Sequence, residues 1–390
     1  MSTTFSFMSS DADAPRLSGT VGDFTNLLDK ILVDGYNSKT VTITRTGTTA
    51  TINCTSHGFR DGQILAVSGA NESDYNITAR CTYVDANNVT IQVANSPATP
   101  ATGTITCKVA PAGWSIAYTG TNLRSYRQPA GTSQLYLGVD DTGTTNARYR
   151  GFETMTAAGV AVGSGTNPFP TDAQVSGGGY YYKSNSASTT ARDWIAIVNN
   201  GLILLFGGGG ASDYSGQMVF GDAIPNDAAD VWPTICYCAE SSNKSNPVHL
   251  TASPIFPYTT SNLAGCFIVR NKAGAAGCVR AMNYSEAIQN SGATSYPPGS
   301  YGWMTYPSPV YGGLLMSPWE IVASADYLHG PRFLLPGLWS PWHSATNFGQ
   351  KDTFTGAAGT PLADKKFIII KAYNSDYGTL GAYILELTDF

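Results

Sequence analysis

Four histidines, seven cysteines and a few carboxylates carry whatever catalytic or metal-binding chemistry this 390-residue chain has. His57, His249, His329 and His343 lie far apart, with no His-x-x-x-His and no Glu at helical spacing, so a metal site has no support. Cys54, Cys81, Cys107, Cys236, Cys238, Cys266 and Cys278 form an odd set without zinc-like spacing. They read as buried thiols acting as small hydrophobes, and Cys236 and Cys238 share one face of a strand. A disulfide formed later, outside the cell, is the alternative. Asp141-Thr-Gly143 matches one loop of an aspartic protease, but those enzymes need two such loops to share a proton. The second is missing, so the segment reads as a turn. No nucleophile elbow, P-loop or dinucleotide fingerprint occurs, and Gly207 to Gly210 reads as a flexible loop.

Paired carboxylates are the one catalytic route left open. Glu153, Glu240, Glu286 and Glu320 are isolated in sequence, and carboxylate separation is a three-dimensional property. Tyr180 to Tyr182, Trp303, Trp319, Trp339 and Trp342 offer an aromatic surface for a sugar. Strand alternation, however, turns Tyr181 away from its neighbours, toward a core. The expectation is no catalytic centre, no cofactor and no metal.

Composition points to protein contact. Only 13% of residues are charged, against roughly 25% in ordinary soluble domains. Glycine (42 residues), tyrosine (22 residues) and small neutral polar residues take their place. Charge is depleted and aromatics are enriched in the buried part of protein interfaces. An ordinary secreted β-protein would share this composition. The net charge of −5 and scattered Lys and Arg give no electrostatic footprint for nucleic acid. No apolar run approaches the ~20 residues of a membrane helix. Met1 to Ser10 has neither a positive region nor an apolar one, so it is not a secretory signal, and folding in a cytoplasm is expected.

The elements that must position these residues are mostly strands. Phe24, Leu27, Leu28, Ile31 and Leu32 recur at helical spacing, with Thr20 as the expected N-cap, Asp23 near N3 and Gly35 as the stop. A helix this short needs a surface to pack on. Packing within its own domain is one choice; docking of Phe24, Leu27, Leu28 and Ile31 on a neighbouring subunit is the other. From Thr40 the period becomes 2. Strands are expected at Val41 to Arg45, Ala50 to Cys54, Ile64 to Val67, Arg80 to Val84, Val89 to Val93 and Thr104 to Val109, with Ser68-Gly-Ala70 as a turn. Ala110-Pro-Ala-Gly113 is the seam to a larger β region. There Asn199-Asn-Gly201 signals a hairpin between Trp194 to Val198 and Leu202 to Phe206. Further strands are expected at Gln134 to Val139, Gly179 to Lys183, Thr234 to Cys238, Cys266 to Arg270, Cys278 to Met282, Lys366 to Ala372 and Ala382 to Leu387. Pro297-Pro298 and Pro307 to Pro309 are barred from central strands. No repeat of fixed period appears, which argues against a propeller or solenoid.

The predicted fold is therefore mainly β: a short N-terminal amphipathic helix, a small inserted β-module, and an antiparallel sandwich or barrel body with long loops. The predicted divisions are a docking segment over 1–39, an inserted domain over 40–110 and a body over 111–390, the last dividing near 230 if it holds two subdomains.

Several blocks resemble a family of tailed-bacteriophage virion proteins. They are Ala14 to Gly35; Gly113-Trp114; Tyr118 to Asn122; Tyr136 to Gly143; Arg150 to Met155; Asn167 to Pro170; Pro331 to Leu338; and Pro341-Trp-His343. In related chains the first block runs almost directly into Gly-Trp, which marks Thr40 to Ala110 as an insert. The insert, with His57-Gly-Phe59, Asp61-Gly62, Ser68-Gly-Ala70 and Tyr75-Asn76, resembles small β-domains common in phage tail and fibre proteins. The resemblance implies a virion component without known catalysis. Taken with the neutral, tyrosine-rich composition, the reading is a non-enzymatic, self-associating structural protein of the tail or neck assembly, made in the bacterial cytoplasm. Its implied partners are other copies of itself and other virion proteins, without nucleic acid or membrane insertion. A tail fibre or spike binding host surface glycan, a capsid decoration protein, and a glycan depolymerase are the alternatives.

Overall fold

The computed structural model describes residues 3–210, 214–239, 265–284, 307–308, 312–323, 331–343, 347–374 and 379–389. The chain is mainly β, in several antiparallel sheets with one short N-terminal helix, and no sheet closes into a barrel. No described helix is long and apolar enough to cross a membrane.

The largest sheet has 13 strands. It begins at an edge strand, Thr4–Met8, which pairs with Trp194–Asn199. The Trp194–Asn199 and Leu202–Gly207 hairpin is apolar at nearly every position because both its faces are covered. Trp194, Ala196, Val198, Ile203 and Leu205 face one core. Ile195, Ile197, Leu202, Leu204 and Phe206 face a second, which the later strands of the same sheet line with Trp319, Ile321, Ile368, Ile370 and Tyr383. The sheet thus curls over its own apolar face. The predicted hairpin turn forms, with Asn200 at φ 40° and Gly201 at φ 83°.

Against the first core lies a five-stranded sheet in the order Ser115–Gly120, Leu123–Arg127, Tyr136–Asp140, Asn146–Phe152 and Gly179–Tyr182. Leu137, Val139, Ala147, Tyr149 and Tyr181 point into that core from alternate positions.

The segment predicted as an insert forms two four-stranded sheets. One is Tyr36–Thr40, Gly103–Val109, Ile64–Ala70 and Thr78–Arg80; the other is Thr42–Thr46, Thr49–Asn53, Asn88–Gln92 and Thr82–Asp85. The pairing starts at Tyr36, four residues before the predicted boundary. Its way in and its way out lie side by side. The Ala112 and Trp114 amides donate to the Ile31 and Leu32 carbonyls. Gly35, at φ 74°, sits where a Cβ would strike the Val109 carbonyl. The module is also tied to the rest of the chain by Arg60–Asp11 at 3.0 Å, by Arg80–Asp389, and by the Tyr36 hydroxyl on Asp11 at 2.7 Å.

Two local expectations are corrected. Ser68-Gly-Ala70 does not turn the chain; it continues the Ile64–Ala70 strand with a register shift between Ser68 and Ala70. Residues 207–209 are no open loop but are buried, Gly207 against Trp194 and the Asp193 carbonyl and Gly208 against the Tyr182–Lys183 backbone. Two strands carry prolines: Met316–Ala323 contains Pro318, and Phe333–Pro341 contains Pro336 and Pro341. Pro318 borders a register shift, and Pro336 lies among the partner residues it skips, the kind of irregularity at which sheets accept proline.

Candidate functional site

Buried polar groups gather around the N-terminal segment. Helix α1, Asp23–Asp29, continues through a wider turn, Lys30–Asp34, and stops at Gly35. The predicted N-cap at Thr20 is not used. Gly22 occupies the cap position at φ 88° with no side chain to offer. The capping oxygen comes from Asp141, just past the Tyr136–Asp140 strand. Its Oδ2 accepts the Phe24 N–H at 2.7 Å and the Thr25 N–H at 3.3 Å. These are the orphan amides of the first turn, and a carboxylate is the favoured group at that end of a helix.

Lys183 completes the arrangement. Its Nζ donates to Asp141 Oδ1 and, at 2.8 Å, to the Thr20 carbonyl. Both side chains are 0% exposed. Burial pushes the Asp141 carboxyl above its ordinary range, opposed by Lys183 and the two amides. The Asp-Thr-Gly segment therefore divides its roles. Asp140 makes the expected turn by accepting from the Thr142 amide, while Asp141 enters the interior.

Phe24, Leu27, Leu28 and Ile31 are all 0% exposed. They lie in the chain's own core, where Phe24 stacks on Tyr181 with ring centroids 4.5 Å apart. No part of that apolar face is left for a neighbouring subunit, so the four residues are core residues in this fold. The helix is also held along its length. Tyr126 donates to Asp29 at 2.7 Å and to the Thr25 carbonyl at 3.1 Å, and Arg124 meets Asp29 at 3.1 Å.

The other residues with chemistry are dispersed. Glu153 is gripped by Arg270, through Nε and at 2.7 Å through Nη2, and by Asn167 at 2.8 Å. These bonds hold its carboxyl below the ordinary range. Glu320 lies in the Met316–Ala323 strand, and Glu240 and Glu286 fall outside the described residues. His57 is buried. Its Nδ1 accepts the Phe59 amide at 2.8 Å, which leaves Nε2 to donate to the Asp85 carbonyl at 2.8 Å. His343 Nε2 accepts the Leu315 amide at 3.0 Å; His249 and His329 lie outside the described residues. Cys236 and Cys238 are wholly buried on one face of their strand, and all seven cysteines are free thiols. Among the described residues no cluster of His, Cys, Asp and Glu is placed to hold a metal. Trp319 is core rather than a sugar platform, Tyr180 is half-buried beneath Arg148, and Trp303 is outside the described residues.

One feature had no place in the expected set. The Ser115–Gly120 strand is the outer edge of the five-stranded sheet and is exposed on both faces, with Ile116 at 36% and Tyr118 at 37%. Among the described strands it pairs with Leu123–Arg127 alone. The signal in the sequence was an uncharged run from Val109 to Leu123.

No family model and no curated protein matches the chain. Among solved structures it is similar to a phage phi92 endosialidase, at 10% identity and a TM-score of 0.18. The similarity covers 91% of this chain and 52% of that one, so this chain spans about half its length. A score so low carries no argument about shared fold or activity.

Proposed function

We propose that this chain is a non-enzymatic structural component of a tailed-bacteriophage virion, in the tail or neck assembly, and that it associates with itself through the Ser115–Gly120 edge. The open edge is the observation that carries self-association. Unpaired edges are templates for further strands, and folded proteins usually blunt them with lysine or other charge, with proline or with a β-bulge. This edge has a register shift between Ile116 and Tyr118. It has no charge between Val109 and Leu123, and it presents Ile116 and Tyr118 to solvent. Virion membership is supported by the resemblance of the Ala14 to Gly35 block and of the blocks from Gly113 to Pro170. The locking of Glu153 by Arg270 and Asn167 favours a structural role for that carboxylate over a catalytic one.

Sedimentation of the purified chain tests the edge. The parent is expected to associate, and Ile116→Lys with Tyr118→Lys to remain monomeric with an unchanged circular dichroism spectrum. Equal association of the two would refute the edge. A tag in the exposed Gly47-Thr48 turn, located on particles by electron microscopy, separates a tail or neck position from a fibre tip or the capsid surface.

A further inference from the structure

The Asp141–Lys183 contact has the arrangement of a condensation site, and we propose that the two side chains join in an intramolecular amide bond. Three observations support this. Both groups are fully buried, so each would carry its charge at a high desolvation cost, and a neutral amide removes that cost. The amine and the carboxyl are held together by the fold, so the entropic cost of bringing them together is already met. The two oxygens of the carboxyl are also differentiated: Oδ1 faces the amine, and Oδ2 faces the Phe24 and Thr25 amides.

The reaction balances without an outside reagent. Lys183 passes one proton to Oδ1, leaving a neutral amine and a carboxylic acid. The burial that raises the carboxyl's proton affinity favours this transfer. The Nζ lone pair then attacks Cγ, and the C=O electron pair moves onto Oδ2. There the Phe24 and Thr25 N–H groups stabilise the charge as an oxyanion hole does. A second proton moves from Nζ to Oδ1, the Cγ–Oδ1 bond breaks, and one water leaves. The pair on Oδ2 re-forms the carbonyl.

The product suits its surroundings. Oδ2 keeps both backbone donors, and the remaining Nζ–H keeps the Thr20 carbonyl, so no buried polar atom is orphaned. The link would staple the end of the Tyr136–Asp140 strand to the residue after Gly179–Tyr182, beneath the start of α1, in a chain whose cysteines are all free.

Mass spectrometry of the folded full-length chain decides it. The intact mass is expected to be one water below the sequence mass, and tandem spectra of a digest should show one branched peptide joining Asp141 to Lys183. Lys183→Arg keeps the charge but lacks the nucleophile, so it should retain the full mass. Asp141→Asn loses ammonia instead of water and should arrive at the same linked mass as the parent. A folded parent that keeps its full mass on prolonged incubation, with Lys183 in a linear peptide, overturns the proposal. That measurement needs no variant to fold.

Discussion

At the scale of residues, several of the chain's few charges tie distant segments together as buried or half-buried pairs. Arg270 with Glu153, Arg332 with Asp230, Arg60 with Asp11 and Lys183 with Asp141 each join segments far apart in sequence. Glu153 shows what such a pair does for stability. Its folded carboxyl lies below the ordinary range, chiefly because of the Arg270 hydrogen bonds. The folded state therefore holds its proton less tightly than the unfolded one. Its contribution is fully present above the unfolded value of 4.5 and is lost as pH falls through the lowered folded value. Glu153→Gln should thus be less stable than the parent at pH 7 and show a shallower acid limb in urea denaturation. Identical pH profiles for the two proteins would show that the pair is idle. The substitution should leave assembly unchanged.

At the scale of elements, α1 is too short to persist alone and takes its stability from what surrounds it. Its apolar face meets Tyr181 and the first core, its N-terminus meets Asp141, and Asp29 is held by Tyr126 and Arg124. Phe24→Ala removes a fully buried ring, and such truncations cost about 3–5 kcal/mol. The expected result is a lower denaturation midpoint with self-association unchanged, once the sample is folded. Had Phe24 been a docking residue, association would fall and monomer stability would not. The Ser115–Gly120 edge predicts the reverse pattern, so the two elements can be separated by one pair of measurements.

At the scale of the whole molecule, burial governs the thiols. It pushes Cys81 up to about 11, and Cys107 and Cys278 up to about 12, while Cys236 and Cys266 are raised within the core. Since the thiolate is the reactive form, these groups should be inert in the native state. A colorimetric thiol titration at pH 8 should find Cys54 the most reactive of the seven, and all seven should react in denaturant. Rapid native reaction at several cysteines would contradict the packing of both cores. A reductant should leave the melting temperature unchanged.

Features that depend on neighbouring residues were legible before the fold was known. Ile43, Ala50 and Ile52 alternate because one face of a hairpin must be apolar, and all three are buried. Asn200-Gly201 forms its turn because both residues accept positive φ. The inward stripe of α1 follows from helical spacing alone. Other strands were silent. Gly216–Asp222 is buried on both faces and so shows no clean period of two. Asn146–Phe152 does alternate, Ala147 and Tyr149 with Arg148 and Arg150, but its two arginines masked it as a strand. The tertiary structure alone decided how α1 is capped, since Asp141 stands 117 residues from Phe24. It also decided that the stripe faces this chain's own core, and that an uncharged run becomes an open edge. A sequence pattern records which side of an element shuns water; what covers that side, and which distant oxygen meets an orphan amide, is set by long-range packing.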